Sequence, residues 1–95
     1  MIVTQEFLHT FFYYDRESGE FIRLVTYGGG RGRAGDRAGF IHNGYEYISI
    51  DYRVYPAHKL ACIYMLGEAP REIVHKDGDK TNNRWNNIRP PVAQR

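Results

Sequence analysis

An α+β domain is the fold this sequence predicts: antiparallel β-hairpins, one central helix, and a C-terminal ββα unit. Three observations carry the expectation. Aromatic and β-branched runs recur up to Pro56, broken by the turn signals Asp15–Glu20 and Asn43-Gly44. Helical spacing appears over 57–66, between Pro56 and Gly67. The third is the stretch Ile73 to Arg89, IVHKDGDKTNNRWNNIR, where a histidine, a tight polar turn and an asparagine-rich segment follow one another.

Taken in order, Leu8 to Tyr14 reads as an aromatic strand, DRESGE as its turn with Gly19 free to take positive φ, and Phe21 to Tyr27 as the returning strand. Residues 28–39, GGGRGRAGDRAG, are too rich in glycine for regular structure and too rich in arginine for an ordinary spacer. They read either as a flexible surface loop or as an arm that orders on phosphates. No Gly-Lys-Ser/Thr ends the run, so it is not a P-loop. From Phe40 the pattern sharpens. Tyr45, Tyr47, Ser49 and Asp51 alternate with Glu46, Ile48, Ile50 and Tyr52, the mark of a strand with two unlike faces, and a further strand follows Arg53. Ala57 to Leu66 then places Leu60, Ala61, Ile63, Tyr64 and Leu66 at the spacing of a short buried helix.

Length and charge bound the function. The 95 residues suffice for one domain, 1–95, with a hairpin region over 1–56 and the helix and motif over 57–95. The net charge of +2 conceals two basic clusters: Arg31, Arg33 and Arg37 in the glycine loop, and Lys76, Lys80, Arg84, Arg89 and Arg95 near the end. Such clusters suit a polyanion, while charge alone equally describes a solvated basic face. Cys62 is the single cysteine, which excludes an internal disulfide and a zinc cluster of cysteine pairs, and its apolar neighbours suggest an inert core thiol. No apolar run approaches the ~20 residues of a membrane span and no leader opens the chain, so a soluble intracellular protein is expected.

Among four histidines, His75 stands out by the turn and cap residues directly after it. Asp77, Gly78 and Asp79 form a turn, and Thr81 or Asn82 can cap a helix starting near Asn83. In such a strand–turn–helix unit His75 faces the helix, and Asn83 and Asn87 bridge turn and helix. The same residues also suit a plain hairpin-to-helix joint, because Asn and Asp favour turns for local reasons. His58, at a helix start, reads as a packing and hydrogen-bonding residue. His9 and His42 read as structural or solvated.

The motif VHKDGDKTNNRWNNIR, from Val74 to Arg89, resembles that of the HNH (His-Me finger, ββα-metal) endonucleases in their phage-encoded form. Three more blocks in the right order resemble it too: YDRESG (Tyr14 to Gly19), GYEYISID (Gly44 to Asp51) and AHKLA (Ala57 to Ala61). The resemblance implies a metal-dependent DNA endonuclease, using Mg²⁺ or Mn²⁺ and acting in the cytoplasm of an infected or host bacterial cell. It casts His75 as the general base, Asn87 as the asparagine that orients loop and base, and Asn83, Asp77 and Gly78 as structural residues of the motif. Phosphate contacts would come from Arg31, Arg33, Arg37, Lys76, Lys80, Arg84 and Arg89.

Two departures qualify that picture. The residue before the histidine is usually an acidic or polar ligand, but here Val74 offers no lone pair to a hard cation. A second ligand of the family would fall just after Arg95, beyond Pro90-Pro91, which leaves Gln94 as the one nearby amide. Three functions therefore compete: an endonuclease, a catalytically degenerate DNA-binding module, and a phage protein that binds another protein, such as a host defence nuclease, through its aromatic surface.

Overall fold

The computed structural model describes residues 3–26 and 32–90. Helix α1 (Gln5–Phe11) leads into strands β1 (Phe12–Asp15), β2 (Glu20–Arg23) and β3 (Arg37–Ala38), which form an antiparallel sheet in that order. Strands β4 (Phe40–His42), β5 (Tyr45–Ile50) and β6 (Arg53–Pro56) form a second antiparallel sheet, followed by α2 (Ala57–Leu66) and a one-turn helix α3 (Trp85–Ile88). The molecule is thus a small α+β protein with two three-stranded antiparallel sheets.

The expected strand over Leu8 to Tyr14 is helical through Phe11, and only Phe12 onward is extended. Thr4 supplies the reason: its hydroxyl accepts the Phe7 N–H at 3.1 Å, so the helix is capped at its start. Once the turn forms, Phe7 and Phe11 stack one turn apart with centroids 4.7 Å apart, and Leu8 is driven into the core. Gln5 and His9, on the same helix, reach the Tyr64 carbonyl of α2 at 3.0 and 2.9 Å.

The second sheet follows local chemistry closely. Asn43 and Gly44 both take positive φ, 53° and 82°, giving the two-residue turn whose twist suits a hairpin. Asp51 and Tyr52 repeat it at 52° and 66°. Ile48 and Ile50 point into the core with Leu60 and Ala61 of α2, while Ser49 faces out. Helix α2 ends at Gly67, whose φ of 88° permits the left-handed cap. Burial pushes the Cys62 thiol up to about 11, which suits an inert residue.

Two further expectations are corrected. The glycine-rich segment is not wholly irregular, because Arg37 and Ala38 pair with Ile22 and Phe21. Nor does the C-terminal ββα unit appear with its strands. The segment between α2 and α3 carries no strand, and α3 begins at Trp85 with no side-chain cap. Thr81 and Asn82 are occupied elsewhere, on Asp79 and Asp77. The helix stops after one turn because Pro90 holds Arg89 extended, at φ −58° and ψ 137°.

Candidate active site

The loop carrying His75 is held together by the side chains of Asp77, Asp79, Asn82 and Asn87 together with a few backbone hydrogen bonds. The Asn87 amide oxygen accepts the Asp77 N–H at 2.9 Å, while its amide nitrogen donates to Asp77 Oδ1 at 3.0 Å and to the Asn82 carbonyl at 2.7 Å. Lys76 N–H donates to the Asn87 carbonyl at 3.0 Å, tying the loop to α3 again. Asp77 also receives the Asn82 amide and the Asp79 N–H, bonds that hold its carboxyl below the usual range. Gly78, at φ 80°, closes the turn on the His75 carbonyl.

Asn83 is the hub. It is 1% exposed, and its backbone carbonyl and both ends of its side-chain amide are engaged. Its backbone carbonyl accepts the Tyr14 hydroxyl, its amide nitrogen donates to Glu46 Oε1 at 3.2 Å, and its amide oxygen lies 2.8 Å from His75 Nε2. The β1–β2 turn presses directly upon it: a Cβ on Gly19 would stand 2.5 Å from the Asn83 carbonyl carbon. Trp85 N–H donates to the Arg16 carbonyl and Arg84 Nε to the Glu17 carbonyl, so the N-terminal hairpin buttresses the motif.

Glu46 is nearly as buried, at 3%. Arg37 meets its other oxygen, Oε2, at 3.0 Å and also lies 3.4 Å from Glu20. Burial pushes the Glu46 carboxyl above the usual range despite that partner. Gly39 leaves the space, since a Cβ there would stand 2.6 Å from Glu46 Oε2.

A cleft of about 320 Å³ opens beside this network, lined by Tyr45, His58, Ile73, Val74, His75, Gly78 and Lys80. His58 meets His75 edge-on with ring centroids 5.1 Å apart and lies 5.9 Å from Tyr45, while Lys80 sits 4.9 Å above the Tyr45 ring. The buried His58 Nδ1 has no hydrogen-bond partner among the described residues. Burial, then the nearby His75 and Lys59, lowers its pKa to about 4, so this imidazole is neutral at pH 7.

The structure therefore brings His75, Asn83, Asn87, Asp77 and Gly78 together. Asn83, expected as a helix-start structural residue, meets the His75 imidazole, whereas Asn87, expected to orient both loop and histidine, bonds within the loop. Glu46 and His58 were not expected at the site. Glu46 carried a signal, an acidic residue on the apolar face of an alternating strand; nothing local pointed to His58. Of the basic residues, Arg37 is committed to two carboxylates, Arg84 to the Glu17 carbonyl and Asn82, and Lys76 reaches the Asn86 carbonyl at 3.3 Å. Arg33 and Arg89 are exposed. Arg31 and Gln94 lie outside the described residues.

The class these features define is a small α+β domain displaying one histidine on an asparagine-held loop. Residues 55–90 match the family model for HNH endonuclease, so this part of the chain carries the HNH motif. No curated protein and no solved structure matches the chain. None of the helices described is long and apolar enough to cross a membrane.

Proposed function

We propose that the chain is an HNH-type domain that binds DNA through its phosphates and nicks it at low turnover, with His75 as the base. One observation carries the reading. His75 Nε2 lies 2.8 Å from the oxygen of a buried asparagine amide, so that nitrogen bears the proton and Nδ1 keeps the lone pair. In the reaction, Nδ1 takes a proton from water, the resulting hydroxide forms a bond to phosphorus, and the P–O bond to the leaving oxygen breaks. Lys80, exposed at the cleft, supports phosphate binding there.

A divalent cation, in the family's chemistry, supplies charge stabilisation to the leaving oxygen. The donors described here do not fit one. Val74 lines the cleft with an isopropyl group, Asp77 and Asp79 are engaged in the loop's own hydrogen bonds, and the described residues contain no group of three metal-ligating side chains. The leaving oxygen then takes its proton from solvent, which is the reason for low turnover. Val74 favours the second reading, a DNA-binding module that does not cleave.

Supercoiled plasmid incubated with Mg²⁺ or Mn²⁺ tests both. Slow nicking by the wild type that falls to the protein-free background in His75→Ala, with an unchanged fold, supports the nuclease. A general base of this kind contributes about 10²- to 10⁴-fold. No cleavage above background leaves the binding module, and nicking gained by Val74→Asp would then trace the loss to the missing carboxylate.

A further inference from the structure

We propose that Glu46 is a positioning residue: acting through Asn83, it determines which nitrogen of His75 carries the proton. The consequence for catalysis rests on the nuclease reading, but the tautomer itself does not.

Donors and acceptors fix the arrangement. An ionised carboxylate only accepts. Arg37 donates to Glu46 Oε2, which leaves Oε1 to face Asn83 at 3.2 Å. Of the two ends of the Asn83 amide, only the nitrogen can answer that oxygen, so the amide cannot turn over without setting oxygen against oxygen. Its oxygen is thereby directed at His75, and an oxygen can only accept, so His75 Nε2 must donate. The order runs from guanidinium to carboxylate, from carboxylate to amide, and from amide to imidazole, and each step permits a single arrangement.

Burial gives the order its force. Asn83 is 1% and Glu46 3% exposed, so solvent is poorly placed to replace a lost partner. Gly39 and Gly19 show how closely the backbone is fitted around the pair, with no room for a Cβ beside either residue. The motif segment alone does not contain this device, because Glu46 and Arg37 come from β5 and β3, outside residues 55–90.

The test reads the tautomer directly, by two-bond ¹H–¹⁵N correlation of the imidazoles of the full chain at about pH 8, above the ordinary imidazole pKa of ~6.5. Loss of signals in His75→Ala assigns His75. The wild type is expected to show a pyrrole-type Nε2 and a pyridine-type Nδ1. Glu46→Gln keeps the shape but can offer Asn83 either a donor or an acceptor, so the two nitrogen shifts of His75 should converge or exchange. Arg37→Met removes a partner yet leaves Glu46 an acceptor, so His75 should keep the wild-type pattern. A wild type protonated at Nδ1 overturns the proposal, as does a Glu46→Gln protein with an unaltered His75 or an Arg37→Met protein altered as much as Glu46→Gln. If the wild type shows the expected tautomer but never nicks DNA, the nuclease reading fails while this inference stands.

Discussion

Asn83 ties the His75 loop to both sheets, through its side chain and through its backbone. Its amide joins His75 to Glu46, and its carbonyl receives Tyr14. Asn83→Ala would strand a buried carboxylate oxygen and free the imidazole, each a loss of about 1–3 kcal/mol. The expected outcome is a clear fall in the urea midpoint, with any nicking reduced but by less than in His75→Ala. His58 makes a second prediction at this scale. Its pKa in the folded chain is depressed to about 4, so between that value and the ordinary ~6.5 the unfolded chain binds more protons. The contribution is present above about pH 6.5 and is lost as pH falls toward 4. Equilibrium unfolding in urea across this range should show declining stability, and His58→Gln should flatten the decline. Glu46, whose carboxyl is shifted upward, contributes the opposite slope in the acid range, so comparison with the variant isolates the histidine.

Among the elements, the β1–β2 hairpin is the least expected participant in the site. Its turn glycine, Gly19, combines a φ of 82° with a contact to the Asn83 backbone that leaves no space for a methyl group. Gly19→Ala should cost about 2 kcal/mol or more, since backbone rather than a flexible side chain must yield. The midpoint of thermal unfolding reads it, and a loss under about 0.5 kcal/mol would mean that the hairpin does not bear on the motif. The arginine segment divides in the same spirit. Arg33 is exposed, whereas Arg37 serves Glu46 and Glu20. Arg33→Ala should therefore weaken DNA binding at low salt with little effect on stability, and Arg37→Ala should lower stability.

For the whole molecule, DNA binding is expected to be weak, indifferent to sequence and steeply salt-dependent, because the described residues offer exposed lysines and arginines rather than a groove-reading element. Titration with duplexes of two unrelated sequences at rising salt checks this, and a flat salt response would exclude phosphate contacts as the main term. Acid stability is set at this scale as well. Hydrogen bonds from the Glu17 N–H to Asp15, from the Asn82 amide to Asp77 and from Thr81 to Asp79 hold all three carboxyls below the usual range. Their contribution is present above about pH 4 and disappears as pH falls through the depressed values, so acid should loosen the His75 loop first.

Much of this was legible locally. Asn43-Gly44 specified its turn because few residues accept left-handed backbone, and Pro56 and Gly67 bracket the helix Ala57–Leu66 by stereochemistry that any chain obeys. His75 and its turn were legible for the same reason, as were Asn83 and Asn87 as members of the site. The helix at Gln5–Phe11 was hidden by aromatic residues that favour strands, and only Thr4 hinted at it. Which asparagine holds the imidazole was beyond sequence, since both have the same chemistry and differ only in what surrounds them. The carboxylate behind Asn83 comes from residue 46 and its guanidinium from residue 37. Local chemistry thus determined the turns, the helix Ala57–Leu66 and the histidine. Tertiary structure alone decided that histidine's partners, because a buried donor must meet an acceptor wherever packing, rather than chain order, supplies one.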